Sequence, residues 1–127
     1  MTSTLRLANR SAAETLLAAQ LEQAHIGFDR EYRFAADRKW RADFMVPASI
    51  EDRFDGESVL SPLLIEVDGA TWTMGRHNHP TSIAKEYERT AAAAINGYRM
   101  IRCTTEQVND GTCLLWIKAA LGLEAAA

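Results

Sequence analysis

The chain has 127 residues, with 14 Lys and Arg against 17 Asp and Glu, a formal net charge of −3. A hydrophobic content of 47% argues against disorder, and the length suits one domain over residues 1–127. No apolar run approaches the roughly 18–20 residues of a membrane span, and nothing at the N-terminus reads as a signal peptide, so a cytoplasmic protein without a membrane partner is expected.

In chain order, Ser11-Ala12-Ala13-Glu14 has the S-x-x-E spacing of a capping box and predicts a helix running to about Ala24. Ala13, Leu16, Leu17, Gln20, Leu21 and Ala24 follow helical periodicity and should face the core. Glu14 borders that stripe, either as a cap alone or as a functional carboxylate. Gly27 is expected to turn the chain out of the helix. Phe28 to Phe34 alternates, with Phe28, Tyr32 and Phe34 on one face, and reads as a strand. A second strand follows, with Trp40, Ala42, Phe44 and Val46 on one face and Asp43 on the other. Pro47 to Pro62 is polar and reads as a long hairpin loop.

Leu63-Leu64-Ile65-Glu66-Val67-Asp68-Gly69 is a short apolar run bounded by Pro62 and Gly69, the signature of a buried strand. Side chains alternate along a strand, so Glu66 and Asp68 share one face. Two buried carboxylates are costly without a partner, and a divalent cation matches two hard oxygen donors. The alternative is a strand that ends at Ile65, leaving both acids in solvent. The stretch from Gly69 to Pro80 is rich in glycine, histidine and small polar residues and reads as a loop. A helix is expected from Thr81 or Ser82 to Asn96, with Ile83, Tyr87, Ala91, Ala94 and Ile95 inward and Gly97 as its stop. Tyr98 to Cys103 reads as a strand, Thr105 to Val108 as a turn or short helix. Thr112 to about Leu121 reads as a last amphipathic helix on Leu114, Ile117 and Leu121. Cys103 and Cys113 are too few for a disulfide framework and read as free thiols; no C-x-x-C spacing joins them to His77 and His79 as a zinc site.

The order α-β-β-β-α-β-α predicts an α/β fold, a mixed sheet covered by helices. Basic residues cluster in two groups, Arg30, Arg33, Arg38, Lys39 and Arg41, then Arg76, His77, His79, Lys85 and Arg89; they make a local phosphate-binding charge if the groups meet in space, and a mixed solvated surface if they lie apart.

Four motifs stand in sequence: Arg38-Lys39-Trp40-Arg41-Ala42-Asp43-Phe44, Ile65-Glu66-Val67-Asp68-Gly69, Gly75-Arg76-His77 and Gly97-Tyr98-Arg99-Met100-Ile101-Arg102. Together they resemble the phage-encoded endodeoxyribonuclease branch of the PD-(D/E)XK nucleases, which read R-K-W-R-x-D-F, E-x-E-G-G, G-R-H and G-W-R-V-L-R in this order. More distantly, the pattern is similar to very-short-patch repair endonucleases and Holliday junction resolvases. The resemblance implies a restriction-endonuclease-like mixed β-sheet with an αβββαβ core flanked by helices. It implies Mg²⁺, with Mn²⁺ as the alternative ion, held by Asp43, Glu66, the Val67 carbonyl and Glu14, with Asp68 holding a second ion or orienting water.

Two departures stand out. The usual lysine two residues past the glutamate is replaced by Asp68, and the helix motif D-x-E-K-Y-N becomes Glu86-Tyr87-Glu88-Arg89-Thr90-Ala91. Lys85 or Arg89 is then the expected cation for charge developing on phosphate. Arg89 cannot serve as a base. His77 is expected to protonate the leaving oxygen or position water. Arg38, Lys39, Arg41 and Arg76 are expected as DNA contacts that give affinity rather than sequence readout.

The expected function is thus a Mg²⁺-dependent DNA endonuclease of phage or prophage recombination or repair. A structure-selective substrate such as a Holliday junction would favour a homodimer. A catalytically inactive DNA-binding protein on the same scaffold is the alternative, and a metal-free RNA endonuclease using His77 and Lys85 is the third reading.

Overall fold

A computed structural model describes residues 2–47, 49–53, 56–68 and 80–123. The first helix, α1 (Thr2–Gln23), begins well before Ser11. Ser11 lies inside it, its carbonyl accepting from Thr15 Oγ1 at 3.0 Å, so Ser11–Glu14 is not a capping box. Neither glycine nor proline falls between Thr2 and Gln23 to stop the helix. Ala13, Leu17 and Leu21 form its buried face, whereas Leu16 is exposed. The helix is closed by His25 rather than Gly27. His25 is left-handed (φ 58°), and a Schellman pair of hydrogen bonds runs from Ile26 N–H to Leu21 and from His25 N–H to Glu22.

The strands are β1 (Asp29–Arg33), β2 (Arg41–Val46), β3 (Ser49–Arg53), β4 (Gly56–Leu60), β5 (Leu63–Asp68) and β6 (Arg99–Thr104). Between β5 and β6 runs α2 (Pro80–Ile95); α3 (Thr105–Asn109) and α4 (Thr112–Ala120) follow β6. Four strands form one sheet in the order β1-β2-β5-β6. The first three are antiparallel, and β6 joins β5 in parallel through the α2 crossover, as the element order predicts. The expected loop from Pro47 to Pro62 instead contains a two-stranded hairpin, β3 with β4, in register from Ser49–Leu60 to Arg53–Gly56. Its strands are short and polar, so the backbone ladder leaves little hydrophobic periodicity to read. Gly97 (φ 86°) closes α2 with the same hydrogen-bond pair as α1, from Tyr98 N–H to Ala93 and from Gly97 N–H to Ala94.

The two faces of the sheet carry separate cores. Phe44, Val46, Leu63, Ile65 and Val67 pack with Leu17 and Leu21 of α1, Val108 of α3 and Ile117 of α4. Ala42, Met45 and Leu64 pack with Phe34 and with Ala93 of α2. Two expectations fail here. Phe28 packs in the first core, edge-on to Phe44 at 5.5 Å, while Tyr32 and Phe34 belong to the second. Likewise Phe44 and Val46 face one way, Trp40 and Ala42 the other. Both strands therefore turn over between the rungs Arg30–Phe44 and Tyr32–Ala42. The residue responsible on β1 is Glu31, whose φ of 51° breaks the two-residue alternation.

The orientation of α2 also differs from the periodicity. Ala93 is buried, but Tyr87 and Ile95 are exposed, at 72% and 82%, and Ala91 and Ala94 lie outside as well. Glu86 and Arg89 turn inward because the sheet opposite them carries charged partners, Glu66 and Arg102. Among the described residues no helix is long and apolar enough to cross a membrane.

Candidate metal centre

The β2–β5 ladder pairs Val46–Leu63, Met45–Leu64 and Phe44–Ile65; one step further in that register sets Asp43 opposite Glu66. There Asp43 Oδ2 accepts from the Val67 backbone N–H at 2.7 Å. The carboxylate thus satisfies a buried donor beyond the paired rungs, and its position is fixed relative to β5. Asp43 and Glu66 are both almost fully buried, yet they line one cleft of about 270 Å³ with Arg10, Arg41, Val67, Asp68, Glu86, Arg89 and Arg102.

On the α1 side, one carboxylate oxygen each from Glu14, Glu31 and Asp43 lie within 4.8 Å of one another. α1 delivers Glu14, and the left-handed turn at Glu31 brings the third acid to the same corner. Two arginines offset part of the charge. Arg10 Nη2 donates to Asp43 Oδ1 at 2.6 Å, its Nε lies 3.2 Å from Glu14 Oε2, and Arg30 Nη2 lies 3.3 Å from Glu14 Oε1. The Arg30 guanidinium also sits 4.7 Å over the Phe44 ring. Burial, reinforced by the charge of Asp43, lifts the Glu14 carboxyl above its ordinary value despite Arg10 and Arg30. Burial opposes the Arg10 charge, but Asp43, then Glu14 and Glu31, outweigh it and raise its pKa.

Three oxygens so close form a hard donor set. Octahedral donors about 2.1 Å from an ion lie about 3.0 Å apart when adjacent and about 4.2 Å apart when opposite, so a bound ion would draw these acids closer together. The residues present fit a small divalent cation.

On the α2 side, Glu66 pairs with Arg89, and its other oxygen lies 3.9 Å from Arg102 Nε. Arg102 Nη2 also reaches Glu86 Oε2 at 2.6 Å and Asp68 Oδ1 at 3.4 Å, so one guanidinium gathers three carboxylates. Burial and the adjacent Arg102 lower the pKa of Arg89; the guanidinium nonetheless keeps its charge at ordinary pH. Behind the site, the Cys103 thiol donates to the Glu66 carbonyl at 3.7 Å, and the two thiols lie 2.9 Å apart, both buried.

Of the expected site residues, Glu14, Asp43, Glu66, Val67, Asp68, Arg41 and Arg89 all come to this corner or line its cleft. Glu66 does not join the three-acid group: Arg89 holds it from the other face. Lys85 is exposed on α2 and does not line the cleft. Arg38 lies apart, 3.9 Å from Glu88 and 4.9 Å over the Trp40 ring, and Lys39 is exposed beside it. Arg76 and His77 lie outside the described residues. Sequence reasoning missed Arg10, Glu31, Glu86 and Arg102 as site residues. Arg10 has a legible signal, one helical turn before Glu14, and Arg102 closes the last of the four motifs. Glu31 has none, because nothing local marks a glutamate for a left-handed backbone.

Compared with known proteins, the chain matches no family model, no curated protein and no solved structure.

Proposed function

We propose that the cleft is the active site of a divalent-cation-dependent DNA endonuclease, on a restriction-endonuclease-like version of the observed mixed sheet. The observation that carries this reading is the meeting of Asp43 and Glu66 on one open cleft, at neighbouring strand positions locked by the Val67 N–H. Hard oxygen donors on strand ends, with arginines at the rim, suit a phosphodiester backbone.

Glu14, Glu31 and Asp43 would hold the cation, with Glu66 and the Val67 carbonyl on the β5 side of it. Bound there, Mg²⁺ or Mn²⁺ would supply Lewis acidity and a water of lowered pKa. Arg41, exposed at the rim, would take a phosphate oxygen. Arg89, on the α2 wall, would steady charge on the scissile phosphate, the task the missing lysine would otherwise perform. Arg102 keeps Glu66, Asp68 and Glu86 in fixed relation. DNA recombination or repair in a phage or prophage setting remains the proposed context, with a branched substrate and a homodimer as its structure-selective form.

A second reading has its own support: no lysine is among the described residues lining the cleft, and Arg89 neutralises Glu66. Both suit a DNA-binding protein that has lost catalysis. A panel of linear, flapped and four-way-junction DNAs with Mg²⁺ or Mn²⁺ separates the two. Cleavage that EDTA abolishes supports the nuclease; gel-shift binding without cleavage under any metal supports the silent module.

A further inference from the structure

Arg10 bridges two acids of this corner. Its Nη2 lies 2.6 Å from Asp43 Oδ1 and its Nε 3.2 Å from Glu14 Oε2, so one guanidinium spans two of the three acids that cluster at this corner. Arg30 differs in kind, touching Glu14 alone and anchored over the Phe44 ring. The two acids are fixed, with side-chain exposures of 10% and 3%, whereas the Arg10 side chain is 40% exposed and has solvent to move into.

From this geometry we infer that Arg10 is a built-in plug of the metal centre, a positioning residue whose guanidinium and the divalent cation exclude each other. The inference rests on the metal-dependent reading of the site. In the metal-free protein Arg10 holds Glu14 and Asp43 at binding separation and spares them mutual repulsion. A cation entering between them must displace it. The released side chain then stands free at the cleft with its planar fork available to phosphate. Metal loading is thereby weak alone and favoured when a polyanion draws Arg10 away, and by reciprocity the cation favours polyanion binding.

The test is Mn²⁺ binding to the full chain, by isothermal titration and by the loss of free-ion electron paramagnetic resonance signal, for wild type, Arg10→Gln and Arg30→Gln. Each substitution removes one positive charge beside Glu14, but only the first removes the bridge. Arg10→Gln is expected to bind Mn²⁺ about tenfold more tightly than wild type, and Arg30→Gln no more than about threefold. Equal affinities for wild type and Arg10→Gln overturn the plug, as does an equal gain in both variants. If Arg10→Gln does not fold, Arg10→Lys keeps the charge without the fork, and tightening above wild type is still required. Absence of Mn²⁺ binding in every protein overturns the metal reading itself, which is distinct from a wild type that binds and an Arg10 variant that matches it.

Discussion

Glu31 and Asp43 occupy facing positions on β1 and β2, between the rungs Arg30–Phe44 and Tyr32–Ala42, and it is there that both strands exchange faces. The exchange puts Phe28 and Phe44 against α1, and Tyr32 and Ala42 on the α2 side. It also delivers two carboxylates to Glu14. The left-handed backbone of Glu31, unfavourable for a residue with a Cβ, is therefore joined directly to the proposed cation site.

That link sets stability against binding. Glu31→Asn suits a positive φ better and removes one of three crowded negative charges. The variant is expected to gain about 0.5–1 kcal/mol of stability, a few degrees in Tm, while losing Mn²⁺ affinity. Thermal melts with and without Mn²⁺ check both halves, and a fall in metal-free stability would contradict the assignment.

Glu66 is buried with Arg89 as its partner. Removing the guanidinium by Arg89→Met leaves the buried Glu66 with only the more distant Arg102, 3.9 Å away, and urea titration is expected to show a loss of about 2–4 kcal/mol. Replacing both, Arg89→Met with Glu66→Gln, removes the stranded charge and should recover at least half of that loss. A double variant no more stable than the single one would mean that Arg89 acts through packing on Phe34, over which its guanidinium sits at 5.4 Å.

On the second core, the Tyr32 and Tyr98 hydroxyls lie 2.7 Å apart. Burial, together with the Tyr32 hydroxyl, pushes the Tyr98 phenol up to about 12 from its usual 10.0. The folded protein holds this proton more tightly than the unfolded chain does. Its contribution is therefore complete below pH 10 and declines as the pH rises through the window to about 12. Absorbance at 295 nm should show one late-titrating tyrosine, and Tyr32→Phe should bring it toward the ordinary range and flatten the alkaline decline in stability.

Cys103 and Cys113 are packed into the core behind Glu66 with their sulfurs 2.9 Å apart. The hydrogen bond with Cys113, then burial, raise the Cys103 thiol, and because both sulfurs are buried neither is offered to solvent as a nucleophile. Ellman's reagent should react slowly with the native protein and titrate two thiols once urea unfolds it. Fast native labelling of either would show that this core opens readily.

Much of the scaffold is written locally. The β5 run between Pro62 and Gly69 reads as the buried strand it is, with Glu66 and Asp68 on one side, and Gly97 marks the end of α2 through its left-handed φ. What stays hidden depends on distant partners. Tyr87 and Ile95 mimic an inward face, but Glu86 and Arg89 take that place because Arg102 and Glu66 wait across the gap. His25 ends α1 where Gly27 was the expected punctuation. The turnover at Glu31 is set by the pairing of β1 with β2 and leaves no trace in a two-residue pattern.

The most direct measurement is the rate of supercoiled plasmid nicking by wild type and Asp43→Asn in Mn²⁺. Asparagine retains an acceptor for the Val67 N–H and so preserves the strand contact, which circular dichroism and a melt can verify. The account predicts nicking that EDTA removes and a loss of at least about a hundredfold in the folded variant. Nicking that survives unchanged in Asp43→Asn, or a wild type that cuts equally well in EDTA, would contradict it.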